Sequence, residues 1–146
     1  MRMLWVGDPH VEAHDLEDAQ HLVDFIDDVI VKGKPEFLLI AGDLYNTHAV
    51  IHAEVMWFWR EALNKWAGKV SQTILIKGNH DAPGTEDSKA TALVAHEGQP
   101  RVIVVRDAPL LLDGCVVAPY TSGTQLVDWS HQHKDYKLLF CHQTFS

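Results

Sequence analysis

The pattern of apolar and polar positions along this chain switches between two periods. "MLWVG" (Met3 to Gly7), "FLLIAG" (Phe37 to Gly42) and "TILIKG" (Thr73 to Gly78) are short apolar runs, each closed by a glycine. Runs of that length, bounded by turn residues, read as strands buried on both faces. Between them the period lengthens. Leu16, Ala19, Leu22, Val23, Ile26 and Ile30 recur at helical spacing. Asp15 is the expected N-cap of that helix, with Glu17 and Asp18 in the first turn, where the helix dipole favours acid. Gly33 and Pro35 are the expected stop. A second helix is predicted from about Val50 to Ala67, and a shorter one over Ser88 to His96. Further on the style changes: "RVIVV", "LLL" and "CVVA" are closely spaced short strands, and Asp113-Gly114 is a strong hairpin signal. "YKLLFC" (Tyr136 to Cys141) is one more strand.

Helical crossovers first and a hairpin later predict an α/β (α+β) chain with a mixed sheet, or two packed sheets with helices outside. A length of 146 residues fits one domain over 1–146. The composition, 47% hydrophobic and 22% charged, is that of a globular chain. No apolar run approaches the roughly 18 residues of a membrane span, and the N-terminus lacks the features of a signal peptide. A cytoplasmic protein without a membrane partner is expected. Cys115 and Cys141 lack CxxC spacing and read as reduced strand residues.

The exits of the apolar strands change the picture. They read "GDPH", "GDLYN", "GNHD" and, after the last strand, "HQTF". Each delivers an Asp, Asn or His. Asp8 and Asp43 are 35 residues apart, and Asp43 and Asn79 are 36 apart, each interval fitting one strand–helix–strand unit. Parallel strands joined in this way place their C-terminal ends on one edge, where open α/β sheets bind ligands. Asp, His, Asp, Asn and His from four exits therefore converge.

That residue set mixes oxygen and nitrogen donors. It lacks the thiolates of structural zinc and the all-oxygen set of calcium, and suits a borderline divalent metal such as Mn, Fe or Zn. Five ligands exceed one open catalytic site but fit two ions sharing a carboxylate. Two such ions, about 3.5–4 Å apart, clamp the attacking and leaving oxygens of a phosphoryl displacement. The expected reaction class is phosphoester hydrolysis by metal-activated water.

The ordered set Asp-x-His, Gly-Asp, Gly-Asn-His-Asp and a strand-end His resembles the calcineurin-like metallophosphoesterase superfamily. "LLIAGDLYNTH", "LIKGNHD" and "LLFCHQTF" look most like the nuclease subunit of the SbcC–SbcD type, which repairs double-strand breaks together with an ABC-type ATPase. The likeness runs from Met3 to Phe145. It implies a two-sheet mixed β sandwich flanked by helices. It also implies that Asp8 and His10 bind a first metal, Asp43 bridges, and Asn79 and His142 bind a second. Manganese is the expected metal, with Fe, Zn or Mg as alternatives. His80 is implied as the catalytic residue that protonates the leaving oxygen or stabilises developing charge. The implied partners are DNA, the ATPase and a second copy of the chain.

Two departures stand out. The superfamily has a later Gly-His-x-His that supplies each metal with one more ligand, and these 146 residues contain none after His142. An N-terminal portion of a longer domain is expected. The "HQH" at His131 to His133 precedes His142 and does not fit that order. Asn46 stands where relatives carry an Asp or His that orients the catalytic histidine. It accepts a hydrogen bond from an imidazole N–H but cannot stabilise an imidazolium by charge. Asp81 reads as a residue that fixes the loop rather than a ligand.

Taken singly, each exit reads as an ordinary turn and His142 as a core histidine; the joint order is the argument for chemistry. His14, His21, His48, His52 and His96 read as structural, with His48 beside the expected cleft. A net charge of −8 argues against gripping nucleic acid by bulk charge, although bound cations would offset part of it. Much of the acid lies on the first helix, at Asp15, Glu17, Asp18, Asp24, Asp27 and Asp28, and reads as a solvated face. Trp57 and Trp59 cannot share one helix face, so one of them is expected to be exposed. Two rival readings remain at this level: a phosphoesterase for nucleotides or phosphomonoesters, and a non-catalytic scaffold that keeps the fold.

Overall fold

The computed structural model describes residues 1–83, 90–121 and 124–143. Four strands, β1 (Met3–Val6), β2 (Phe37–Ile40), β3 (Gln72–Ile76) and β4 (Val102–Val105), form one parallel sheet in the order of the sequence. Its registers pair Val6 with Ile40, Ile40 with Leu75 and Ile76 with Val105. A parallel sheet in sequence order with right-handed crossovers carries its helices on one face. Helices α1 (Leu16–Gly33) and α2 (Ala53–Trp66) do so here. They cover Leu38, Ile40 and Leu75 with Val23, Ile26, Ile30, Trp59, Leu63 and Trp66.

The alternate residues of the same strands face the other way. Leu39, Ala41, Ile74, Ile76 and Val105 form a second apolar layer with Val117. That residue belongs to a three-stranded sheet of β5 (Leu110–Leu112), β6 (Cys115–Ala118) and β7 (Leu138–Cys141). β5 and β6 form the antiparallel hairpin read at Asp113-Gly114, and β6 pairs with β7 in parallel. The result is helices, sheet and sheet in three layers, the mixed two-sheet fold expected. Ile74, Leu75 and Ile76 are at most 1% exposed. Each contributes about 2–3 kcal/mol through burial, so the exit of β3 is held firmly.

Several boundaries differ from the sequence reading. α2 begins at Ala53 rather than Val50, because residues 50–52 run extended into the N-cap His52 (φ −72°, ψ 137°). Val50 and Ile51 are adjacent β-branched residues, which lose rotamer freedom in a helix. Of the predicted helix over Ser88 to His96, Ala92–His96 forms a 3₁₀ turn capped by the Thr91 hydroxyl, and Ser88 lies outside the described residues. Helix α3 (Gln125–Gln132), the crossover between β6 and β7, has no counterpart in the sequence reading. Among its residues only Leu126 is fully buried, so it carries no apolar stripe to read. Asp15 occupies the N-cap of α1 without a side-chain cap bond; its carboxylate lies 3.3 Å from His14 instead. Trp59 and Trp66 are fully buried and Trp57 is 63% exposed. Among the described residues no helix is long and apolar enough to cross a membrane.

Candidate metal centre

The exits of β1, β2, β3 and β7 bring six of the singled-out residues to one edge. Asp43 is the pivot, 3% exposed just beyond β2. Its Oδ1 accepts the His80 backbone N–H at 2.9 Å. Its Oδ2 lies 3.4 Å from His10 Nε2 and 3.4 Å from His142 Nε2. One carboxylate oxygen is thus committed to the β3 loop, while the other faces two imidazoles. His142 Nδ1 lies 2.8 Å from the Ala41 carbonyl, so Nδ1–H donates there and Nε2 carries the lone pair in the neutral ring. Nε2 is 2.8 Å from Asn79 Oδ1.

Asp8 sits on the His142 side of the group, with Oδ1 3.2 Å from His142 Nδ1 and its side chain 56% exposed. The His80 ring stands edge-on to His10 with centroids 5.0 Å apart. Its Nδ1 donates to the backbone carbonyl of Asn46 at 2.8 Å. The sequence reading places that role on the Asn46 side chain; the chain path past Asp43 presents the carbonyl instead.

Asp81 is fully buried and accepts from Gly78 N at 2.9 Å and Tyr45 N at 3.2 Å, tying the β3 exit to the β2 exit. Burial raises its carboxyl to about 6, against the pull of those two amides, with Asp43 raising it further. His48 is exposed in the loop after β2. His131 and His133 lie on α3 and its C-cap. Glu12, His14 and Asp15 form a separate exposed group, with His14 3.1 Å from Glu12 and 3.3 Å from Asp15. Exposed acids pair with a neighbouring histidine in this way without an ion.

The backbone is shaped around the site. His10 (φ 47°), Gly42 (φ 96°) and Asp43 (φ 48°) are left-handed. A Cβ on Gly42 would fall 2.4 Å from His142 Nδ1, and one on Gly78 would fall 2.1 Å from Asp43 Oδ1. Gly78 is needed for space rather than for its backbone, since its φ is not left-handed.

The calcineurin-like phosphoesterase family profile matches residues 1–143. The chain belongs to the calcineurin-like phosphoesterase family. It is a member of a family of metal-dependent hydrolases that use divalent ions. Among solved structures it is similar to nuclease MPE of Pseudomonas putida, with a TM-score of 0.56 at 20% identity, over 80% of this chain and 53% of that one. It is also similar to Yfce, a phosphoesterase from E. coli, with a TM-score of 0.44 at 17% identity, over 84% of this chain and 58% of that one. The first likeness concerns the fold alone, and this chain spans little more than half the length of either structure. A comparison with curated proteins returns no match.

The residues of this chain fit divalent ions on three grounds. Asp43 Oδ2, Asn79 Oδ1 and the His142 Nε2 lone pair face one another, an arrangement that is repulsive without a cation or proton between them. His10 Nδ1 is buried without a partner among the described residues. The donor set is the mixed oxygen and nitrogen type that borderline metals prefer. Sequence reasoning missed the supporting groups: the Ala41 and Asn46 carbonyls, the space kept by Gly42, and Tyr120, whose ring lies 6.1 Å from His142. A glycine directly before Asp43 was the one legible signal among them.

Proposed function

We propose that this chain is the nuclease portion of a metal-dependent DNA phosphodiesterase, with two divalent ions held by Asp8, His10, Asp43, Asn79 and His142. The observation that carries the reading is the position of Asp43 Oδ2, 3.4 Å from the histidines of two different strand exits, with His80 fastened to the other oxygen of the same carboxylate. A carboxylate so placed would hold divalent ions together with the histidines on either side of it. When bound, the ions polarise the phosphoryl oxygens and lower the pKa of attacking water.

The chain's own residues do the rest. Asp43 Oδ1 holds the His80 amide, so the proton donor and the bridging ligand move as one unit. His80, an exposed residue, keeps Nδ1–H on the Asn46 carbonyl, so Nε2 is the nitrogen left to act. In the imidazolium form Nε2–H donates to the departing oxygen, the general-acid role. The net charge of −8 supports a division of labour in which an ABC-type ATPase subunit of the SbcC kind supplies much of the DNA grip. Manganese is the metal proposed, and the cytoplasm the compartment. Trp57, 63% exposed on α2, supports self-association.

The test is cleavage of linear duplex DNA by the full encoded chain with manganese, alone and with its ATPase partner. Manganese-dependent cleavage that is lost in His80→Ala, while metal binding is retained, is the expected result. Turnover of phosphomonoesters with no action on DNA would overturn the nuclease reading. Tight ATPase binding without any metal-dependent hydrolysis would mean a scaffold.

A further inference from the structure

A concave pocket of about 340 Å³ opens beside the metal centre and shares its framework. Its floor is the parallel bridge between Val11 and Tyr45, one residue beyond His10 and two beyond Asp43. Asn46, whose carbonyl holds His80, lines the side nearest the site. Ala13, Ile51 and Val55 give the pocket apolar walls, and Glu12, His14, Thr47 and His52 add polar groups. Val50, 61% exposed, also lines it. The residues that miss the start of α2 are the ones that shape this hollow: had 50–52 been helical, Val50 and Ile51 would have taken the helix path instead.

We infer that this pocket receives the nucleoside attached to the scissile phosphate; the inference rests on the phosphodiesterase reading above. Three features favour that occupant. The volume is at the low end of small-ligand sites, which run from about 300 to 1,000 Å³, so it admits one nucleoside and not a stacked duplex. Apolar walls with hydrogen-bonding groups between them suit a base, which offers flat faces and a polar edge. The Glu12 carboxylate, 3.1 Å from His14, offers an acceptor for a base amino group at the pocket wall. Because His10 and Asn46 adjoin the pocket, a base seated there keeps its own phosphate over the metal centre. The pocket thereby selects an unpaired nucleotide, as at a frayed or single-stranded end, over the interior of a duplex.

The test uses the full encoded chain and two readouts. Calorimetric binding compares deoxycytidine 5′- and 3′-monophosphates with methyl phosphate. At least one nucleotide is expected to bind about tenfold more tightly than methyl phosphate, the order of one base contact. Val50→Glu and Ile51→Trp are expected to remove that preference. Neither position belongs to the metal centre, so turnover of methyl p-nitrophenyl phosphate is expected to stay unchanged in both. Equal binding of nucleotide and methyl phosphate, or a preference that survives both substitutions, would overturn the pocket assignment. A nucleotide preference without any phosphodiester hydrolysis would uphold the pocket and overturn the phosphodiesterase reading alone.

Discussion

Replacing Gly78 by alanine probes the site with a single methyl group. The added Cβ would lie 2.1 Å from Asp43 Oδ1, 2.4 Å from Asp43 N and 2.9 Å from Asp43 Cγ. Asp43 has no room to withdraw. It is 3% exposed, its Oδ1 holds the His80 amide, and its Oδ2 faces His10 and His142. The β3 exit cannot swing away freely either, because Gly78 N is held by buried Asp81 at 2.9 Å. One of the two hydrogen bonds must break, at about 1.5–3 kcal/mol for a charged acceptor. Overpacking adds about 1–3 kcal/mol. For a domain of this size each kcal/mol lowers Tm by about 2–4 °C, so a fall on the order of 10 °C is expected. A displaced Asp43 is also expected to weaken manganese binding by about 10- to 100-fold. Scanning calorimetry and a manganese titration measure both. A Gly78→Ala protein whose Tm and manganese affinity both match the wild type would refute the claim that this glycine exists to admit Asp43.

The remaining predictions concern the scaffold around the site. Trp59→Phe removes the donor to the Leu44 carbonyl at 3.2 Å and leaves that acceptor only the longer bond from Val11 N at 3.4 Å, so urea titration is expected to show a loss of about 0.5–1.5 kcal/mol. His96 has its pKa lowered by burial, opposed by its bond to Gln99 and reinforced by Arg60. The folded state therefore binds fewer protons than the unfolded state just below the ordinary value of 6.5, and stability falls as pH drops through that value towards the folded pKa. Asp81, raised to about 6, acts in the opposite sense over the same range, so the His96 contribution is read as a difference: below pH 6.5 the slope of Tm against pH is expected to be less positive in His96→Gln than in the wild type, and parallel slopes would refute the assignment. Asn46→Ala keeps the carbonyl that accepts from His80, so kcat on methyl p-nitrophenyl phosphate is expected to change little. A collapse of kcat would place the role back on the side chain.

Much of the fold was legible because the parallel strands are buried on both faces. Leu38, Leu39 and Ile40 pack against different layers yet are all apolar, so the run declares itself without reference to either layer. Helix α1 was legible for a related reason: it has one apolar stripe and one partner. α3 escaped because a crossover helix that buries only Leu126 leaves no periodic signal. At the site, the residue types and their order pointed to one edge of the sheet. Backbone chemistry stayed hidden. The Ala41 and Asn46 carbonyls are available at every position of every chain, and only the path of the β2 exit decides which two reach His142 and His80.

That path also explains why polar residues sit where apolar strands leave the core. A left-handed conformation at His10 and Asp43 costs roughly 1–2 kcal/mol per residue and persists only where the surroundings overrule it. Here the surroundings are specific. His10 N donates to the Asp43 carbonyl at 2.9 Å, so the two strained residues hold each other. Val11 bridges Tyr45 just beyond them, and Tyr45 is fixed in turn by Asp81 through its amide and by His96 through its hydroxyl at 2.6 Å. His96 bonds Gln99, which reaches the Arg60 carbonyl and Asn64 on α2. A continuous chain of hydrogen bonds thus runs from the strained exits into the buried helix layer. The strain is local, but the groups that sustain it extend through the core. Substitutions at Tyr45, His96 or Gln99, none of which faces the cluster, should therefore act on the position of His10 and Asp43 before they act on the fold as a whole.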